Sequence, residues 1–165
     1  MVWFQGCSIG CPGCFNPETH SKAGGKLIEV ESLVQQIVDL GDQIEGVTVS
    51  GGEPLEQIEG LLTLVKAVRV STANTIVVFT GKTWKQVSEM PEAEELLGLV
   101  DVLIAGPYQQ RQRVATGLKG SRNKTFHFLT TRYTQADFDS IPKAEIIIES
   151  DGTIVRSGIG WDSKT

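Results

Sequence analysis

Short strand-like runs alternate with helix-patterned segments along this chain, and that alternation limits the folds open to it. Residues 47–49 and 76–79 are strand-like runs rich in β-branched residues. The segment between them carries apolar residues at helical spacing: Leu61, Leu64, Val65 and Val68. Strand–helix–strand units join by right-handed crossovers, which place their strands side by side in a parallel sheet. We therefore predict an α/β fold whose strand carboxyl ends form the ligand-binding edge.

Further elements extend this sheet at both ends of the chain. Residues 2–5 and 100–104 are predicted as its first and fourth strands. Val30–Leu40 has apolar residues at helical spacing and is followed by Gly41, a typical helix stop. Asp151-Gly152 separates two apolar runs, which is a strong hairpin signal. We expect this C-terminal hairpin to form an antiparallel edge of the sheet.

Length and charge narrow the classes of function. The length predicts one domain over residues 1–165, and the formal net charge of −5 argues against a broad nucleic-acid-binding surface. No apolar run approaches the roughly 20 residues needed to span a bilayer. The first residues also lack the basic region of a signal peptide. We expect a cytoplasmic protein that binds neither nucleic acid nor a membrane.

A local group of three cysteines is the strongest chemical signal in the chain. Cys7, Cys11 and Cys14 follow the first strand, and the chain has no other cysteine. An odd, local group makes a poor disulfide framework and more often binds metal. Gly10 and Gly13 permit the tight turns by which one loop supplies several thiolates to an iron–sulfur cluster. Three thiolates fill three corners of a cubane, so one iron stays open to a small molecule.

Two other interpretations of the cysteines remain open. Some tetrahedral zinc sites use three cysteines and one histidine, and His20 is close enough in sequence to be the fourth ligand. Three free cysteines without a metal are the second alternative. The short spacing favours a metal over free thiols. It also favours an iron–sulfur cluster over zinc, because zinc ligands usually come in two separated pairs.

A glycine-rich loop lies at the same predicted edge of the sheet. Gly51, Gly52 and Glu53 follow the second strand, and Pro54 suits the first position of the next helix. A capped turn between strand and helix accounts for these residues without any ligand. Beside a cluster loop, however, the glycines expose backbone N–H and C=O groups to a ligand, and Glu53 suits a cationic amino group.

The two loops together resemble the radical S-adenosylmethionine (radical SAM) superfamily, which pairs a CxxxCxxC loop with a Gly-Gly-Glu loop. Within it, the chain resembles the activating proteins of anaerobic (class III) ribonucleotide reductase. The resemblance rests on residues 3–19, 49–55, 101–108 and 120–123. It implies a small partial (βα) barrel of mostly parallel strands, of the radical SAM type, with the C-terminal hairpin added.

The resemblance also implies an activity and its partners. Such an activase cleaves S-adenosylmethionine reductively at a 4Fe-4S cluster, and the 5′-deoxyadenosyl radical abstracts hydrogen from a glycine of a partner enzyme. The implied partners are a large glycyl radical enzyme, anaerobic ribonucleotide reductase, and a low-potential electron donor such as flavodoxin. The protein itself orients the reactants and tunes the cluster, because the radical chemistry belongs to the cofactor.

The same resemblance assigns roles to individual residues. The implied cluster ligands are Cys7, Cys11 and Cys14. The implied contacts to the methionine moiety are Gly51, Gly52 and Glu53, with Glu53 near the ammonium. Gly13 stands where the superfamily usually has an aromatic residue, and its backbone is expected to face the adenine.

The chain departs from the family pattern in two respects. Many relatives have an acidic residue at the position of Ala105, and relatives usually have a further segment before the first strand. A truncated sequence or a shortened relative would both fit the second departure.

Two functions other than an activase stay open. They are a radical SAM enzyme that acts on a small molecule and a non-enzymatic metal-binding or electron-transfer module.

A basic cluster occupies residues 111–122 of this acidic chain. Its simplest interpretation is a solvated loop. A second interpretation is a contact surface for the partner enzyme or an electron donor, because acidic redox partners dock on basic surfaces by electrostatic steering.

Overall fold

A five-stranded mixed sheet forms the centre of the molecule. The computed structural model describes residues 1–148 and 150–158. With strands numbered in chain order, the sheet has the order β1-β2-β3-β4-β7. Its strands are β1 (Val2–Phe4), β2 (Gly46–Gly51), β3 (Thr75–Thr80), β4 (Val102–Ala105) and β7 (Thr125–Phe128). The first four are parallel and β7 is antiparallel to β4, so the predicted α/β class and parallel alternation are confirmed.

Five α-helices accompany the sheet in the part of the chain that the structure describes. They are α1 (Val30–Leu40), α2 (Ile58–Ser71), α3 (Trp84–Ser88), α4 (Ala93–Leu99) and α5 (Gln135–Asp139). The predicted end of α1 is confirmed, because Gly41 follows it with a positive φ of 49° that suits glycine. In the described part of the chain, no helix has both the length and the apolar character needed to cross a bilayer.

The main core lies between one face of the sheet and helices α1, α2 and α4. Alternate residues of the three central strands point to this face, as the period of two in a strand requires. They are Val47, Val49, Ile76, Val78, Leu103 and Ala105. The helices contribute the apolar stripe that the sequence predicted: Leu61, Leu64, Val65 and Val68. Burying a Leu or Val side chain stabilises a fold by about 1.5–3 kcal/mol, so this layer positions the sheet firmly.

A second, smaller core covers the opposite face of the sheet. Val77, Val102 and Ile104 pack there against Phe138 of α5. The antiparallel hairpin of β5 (Arg113–Thr116) and β6 (Lys119–Ser121) lies on this side too, since Leu118 packs against the same cluster. Neither the hairpin nor α5 was among the elements predicted from the sequence.

The C-terminal hairpin forms, but its predicted place in the sheet is wrong. Its strands, β8 (Ala144–Ile148) and β9 (Ile154–Gly158), pair with each other in a separate two-stranded sheet, and within residues 1–148 and 150–158 neither joins the main sheet. The antiparallel edge of the main sheet is β7 instead. A hairpin signal is local and reports which two strands pair, whereas the choice of sheet edge depends on distant contacts.

A buried acid joins four elements at the end of the sheet opposite the cysteine loop. Asp101 is 1% exposed, and its carboxylate accepts hydrogen bonds from Arg69 of α2, the Ile76 amide of β3 and the Thr130 hydroxyl. The Leu129 amide donates to the Asp101 carbonyl at 2.8 Å. The bonds from Leu129 and Thr130 fix the chain where it leaves β7.

Candidate metal centre

The three cysteines lie in one loop that leaves the carboxyl end of β1. Cys7, Cys11 and Cys14 are half-buried free thiols. The loop bends through Gly10 and Gly13, whose φ angles are 61° and 70°. Within residues 1–148 and 150–158, the structure brings no three or more His, Cys, Asp or Glu side chains together around one point. The three predicted ligands therefore share one loop, but their side chains do not converge on a single metal position.

The start of the cysteine loop is fixed by backbone hydrogen bonds. Gly6 is buried, and its amide donates to the Thr19 carbonyl at 2.8 Å. The Cys7 amide donates to the His20 carbonyl at 3.0 Å. The segment that follows the cysteines thus folds back along the residues that precede them, which encloses the thiols in a narrow loop.

The Gly-Gly-Glu loop lies directly against this start. The Gly52 amide donates to the Phe4 carbonyl at 2.7 Å, and the Glu53 amide donates to the Gly6 carbonyl at 2.9 Å. A side chain at Gly51 would place its Cβ 2.3 Å from the Phe4 carbonyl oxygen, and one at Gly52 would meet the Gly6 oxygen at 2.3 Å. The two glycines are therefore required for the close approach of the two loops, and the predicted contact of their backbone with a ligand stays a prediction.

Two side-chain contacts strengthen the junction between these loops. Glu56 accepts hydrogen bonds from the Ser8 amide at 2.9 Å and from the Ser8 hydroxyl at 2.6 Å. Gln57 donates to the Gln5 carbonyl at 2.7 Å. The Ser8 bonds lower the pKa of Glu56, with partial burial acting in the opposite direction. Sequence reasoning missed both pairs because about fifty residues separate the partners.

Glu53 is fully buried beneath the two loops. Its carboxylate accepts hydrogen bonds from the Leu55 amide at 3.0 Å, the Thr80 hydroxyl at 2.7 Å and the Gly81 amide at 2.7 Å. Burial raises the pKa of Glu53, although all three hydrogen bonds act to lower it. The side chain thus joins the end of β2 to the end of β3, and the positive charge of Lys82 also acts to lower its pKa.

The thiol of Cys7 has a distinct environment. Burial raises its pKa, and the backbone amides of Ile9 and Gly10 act to lower it. Ile9 in turn lies over Gly81, where an added Cβ would come 2.5 Å from the Ile9 Cδ1 atom. The loop end of β3 therefore supports the cysteine loop from below.

The end of the cysteine loop contacts the β5–β6 hairpin. A Cβ on Gly13 would meet the Gln110 side chain at 2.7 Å, so this glycine is covered by the segment that enters the hairpin. Phe15 lies on Gly120 of β6, where an added Cβ would be 2.6 Å from its ring. Phe15 also packs against Tyr108, with ring centroids 4.5 Å apart and the ring planes tilted by 49°.

Two polar residues near the site were not predicted from the sequence. Lys124 donates to the Gly106 carbonyl at 2.6 Å. Burial lowers the pKa of Lys124, and the Cys11 and Cys14 thiols and Glu53 act to raise it. Its neighbour Asn123 has a buried Oδ1 atom without a hydrogen-bond partner in the described residues. The sequence places Lys124 in a basic, solvated loop, and only the fold brings it to the cysteines.

The chemistry of the donors fits an iron–sulfur cluster. Thiolates are soft ligands that select iron–sulfur clusters or zinc, and amide donors to a thiolate sulfur are among the contacts that tune a cluster. His20 contributes its backbone carbonyl to the fold of the loop. One short loop with three thiols and two glycines in the left-handed region suits a compact cubane better than a zinc site with two separated ligand pairs.

Comparison with known families and proteins supports this assignment. A family model described as "4Fe-4S single cluster domain" matches residues 1–127. The chain is 34% identical to the anaerobic ribonucleoside-triphosphate reductase-activating protein of Haemophilus influenzae, over 76% of this chain and 84% of that protein. It is 31% identical to the protein of the same name from Vibrio cholerae, over 78% of this chain and 86% of that protein.

A longer relative matches over a smaller share of its length. The chain is 32% identical to the pyruvate formate-lyase-activating enzyme of Clostridium pasteurianum, over 62% of this chain and only 44% of that enzyme. No solved structure gives a significant match to the chain.

Proposed function

This chain belongs to the glycyl radical enzyme activases of the radical SAM superfamily, and from that premise we propose that it installs a glycyl radical on a large partner enzyme, anaerobic ribonucleotide reductase. The observation that carries the proposal is the direct apposition of the cysteine loop and the Gly-Gly-Glu loop. The Glu53 amide donates to the Gly6 carbonyl. The residue before Cys7 is therefore hydrogen-bonded to the loop proposed to hold the methionine moiety of S-adenosylmethionine.

The cofactors supply the radical chemistry, and the chain holds them in place. A 4Fe-4S cluster supplies the electron that cleaves S-adenosylmethionine to methionine and a 5′-deoxyadenosyl radical, which takes a hydrogen atom from the partner's glycine. The residues that hold the cluster are Cys7, Cys11 and Cys14. The chain contributes no fourth thiol, so one iron remains for the amino and carboxylate groups of S-adenosylmethionine.

Glu53 is proposed to meet the ammonium of the methionine moiety. A carboxylate has about four acceptor positions, and three internal donors occupy three of them. Among the described residues, the Gly81 amide alone donates to its Oε2 atom, which leaves one acceptor position on that oxygen. A buried acid with a raised pKa is stabilised by a neighbouring cation, and an ammonium is such a cation.

The glycines are proposed to present backbone to the substrate. Gly51 and Gly52 lie at the carboxyl end of β2, beside the end of β1, which is where ligands bind in parallel sheets. Gly13 lies at the outer end of the cysteine loop, beneath Gln110. We propose that its backbone faces the adenine, as the resemblance implies.

The architecture is proposed to be the partial (βα) barrel of the radical SAM type. Its support is the sequential order of four parallel strands, with the main helices packed on one face. We also propose that residues 1–165 form one domain, that flavodoxin or a similar protein supplies the electron, and that the protein acts in the cytoplasm.

Anaerobic reconstitution tests the proposed function. We expect about four irons per chain, as for one cubane cluster, and an absorption spectrum that shifts when S-adenosylmethionine is added. Cys11→Ser is expected to lose the iron, whereas Ser8→Ala in the same loop is expected to keep it. After reduction, mixing with an anaerobic reductase large subunit should give a glycyl radical signal by electron paramagnetic resonance.

Three results would contradict the proposal. Tightly bound zinc without a spectral response to S-adenosylmethionine would indicate a structural metal site. An intact cluster that cleaves S-adenosylmethionine without a glycyl radical on the large subunit would indicate a small-molecule substrate. Iron retention in Cys11→Ser would show that residues other than the predicted cysteines hold the cluster.

A further inference from the structure

Charge is strongly segregated along this chain. Between residues 102 and 136 there is no Asp or Glu, while the same segment holds six Lys and Arg residues. The whole chain nevertheless has a net charge of −5. The acidic residues therefore lie outside this segment, and one continuous stretch of the sequence carries an excess of positive charge.

The fold gathers most of these cations beside the cysteine loop. We define the basic hairpin as residues 109–124, which include β5, β6 and their flanks. Phe15, next to Cys14, packs on Gly120 of the hairpin, and the Arg113 guanidinium lies 4.9 Å from the centre of the Phe15 ring. The hairpin also packs through Leu118 on the sheet face opposite α1 and α2. Its positive charge thus adjoins the outer end of the cysteine loop.

The outer surface of the basic hairpin is accessible. Arg111 and Arg122 are exposed, and no ion pair joins either to an acid among the residues that the structure describes. An open groove of about 460 Å³ lies beside β5 and β6, and among the described residues its charged lining consists of three cations: Lys119, Arg122 and Lys143. Exposed cations without acidic neighbours raise the local potential and attract negatively charged partners.

We propose that the basic hairpin is the docking surface for an acidic one-electron donor protein. This inference rests on the proposed function, since that function needs one external electron for each cleavage. The donor loses one electron, the cluster gains it, and no proton or group transfer is required. Charge complementarity assigns the donor an acidic face, and the contact between Phe15 and the hairpin brings that face close to Cys14.

The position of the hairpin favours an electron donor over the glycyl radical enzyme. A glycine that loses a hydrogen atom must reach the substrate itself, at the carboxyl edge formed by Gly52 and Glu53. An electron need only reach the cluster, and the basic hairpin borders the cysteine loop on its outer side. Electrostatic steering chiefly accelerates association, which suits a donor that must bind and leave in each cycle.

Charge reversal of the hairpin tests the proposal. In Arg111→Glu/Arg122→Glu, reduction of the reconstituted cluster by reduced flavodoxin should slow roughly tenfold at low salt. Reduction by photoreduced 5-deazariboflavin, which is small and uncharged, should keep the wild-type rate. The control is Lys66→Glu/Lys85→Glu, which changes the net charge equally on the helical side of the sheet. It also breaks the ion pairs with Glu95 and Glu89, which are exposed and so contribute little to stability, and it should leave both rates unchanged.

The salt dependence of the reduction rate and the formation of a glycyl radical on the large subunit provide two further tests. The wild-type rate with flavodoxin should fall as ionic strength rises to about 0.2 M, and the hairpin variant should show a weaker salt dependence. Equal slowing in both double variants would overturn the proposal. So would a hairpin variant that accepts electrons normally but no longer forms a glycyl radical on the large subunit, because the surface would then serve that enzyme. A wild-type cluster that deazariboflavin reduces without cleavage of S-adenosylmethionine would instead contradict the proposed function.

Discussion

Gly51 shows how tightly one residue constrains the junction of the two loops. Its φ of 108° is strained for any residue with a side chain, and an added Cβ would also lie 2.3 Å from the Phe4 carbonyl oxygen. Strain and overpacking each cost about 1–3 kcal/mol. We therefore expect Gly51→Ala to lower the free energy of unfolding by about 3 kcal/mol, measured by urea denaturation.

Gly60 provides the matched comparison for this change. It lies in α2, and an added Cβ would meet nothing within 4 Å. Alanine is favoured over glycine inside a helix by about 0.8–1.0 kcal/mol, so Gly60→Ala should stabilise the chain. A Gly51→Ala variant as stable as the wild type would show that the loops can separate without cost.

Individual site residues differ in how far the sequence could identify them. The cysteines and the Gly-Gly-Glu run were identified because each is a compact local pattern with its own chemistry. The three internal donors to Glu53 were not foreseen, since Thr80 and Gly81 lie far along the chain. Ser8 and Lys124 were missed for the same reason: their sequence contexts are ordinary, and their partners come from other elements.

Among the elements, β4 depends on one buried carboxylate at its start. Burial acts to raise the pKa of Asp101, but the hydrogen bonds from Arg69, the Ile76 amide and Thr130 outweigh it and hold the pKa below its usual range. Removing one partner of a buried pair costs about 3–5 kcal/mol. We expect Asp101→Asn to lose about 3 kcal/mol of unfolding free energy, whereas Asp42→Asn, on an exposed turn, should change little.

The pH dependence of this loss follows from the direction of the pKa shift. A carboxyl whose pKa is lower in the folded chain stabilises it above the unfolded pKa, near 3.9. That stability is lost as the pH falls through the folded pKa. The difference between wild type and Asp101→Asn should therefore be largest at neutral pH and should shrink below about pH 4. A difference that grows on acidification would contradict the assignment.

The elements that the sequence predicted well are those with a strong periodic pattern. The central strands, α1 and α2 were recognised because burial imposes a regular spacing on their apolar residues. The β5–β6 hairpin was not, because Gly117 and Leu118 turn it without a typical turn pair, and its strands are short and polar. The position of β7 also depended on a distant contact, the bonds of Asp101 and Thr130.

At the scale of the whole molecule, the cysteine loop should be the part that cluster binding changes most. Cys7, Cys11 and Cys14 are half-buried free thiols of one loop, and ligation would hold their sulfurs in place. We expect hydrogen exchange at residues 7–16 to slow at least tenfold on reconstitution, because ligand binding suppresses the open states of its own site. Mass spectrometry of peptic peptides would measure this.

Helix α2 is the internal reference for that experiment. Its buried residues, such as Leu64 and Val68, pack within the main core, whose exchange reports on opening of the whole fold. Exchange in α2 at moderate temperature should change less than in the cysteine loop. Uniform protection of the whole chain, or none at residues 7–16, would be inconsistent with cluster binding at the cysteine loop.

The segregated charge also has a practical consequence for handling the protein. Its pI near 5.1 predicts retention on a positively charged chromatography resin at neutral pH. A resin bead, however, meets one face of a molecule at a time, and the field near Arg111 and Arg122 has the opposite sign from the net charge. At low salt the chain should therefore also adhere to sulfonated cation-exchange beads well above its pI, with the basic hairpin against the bead.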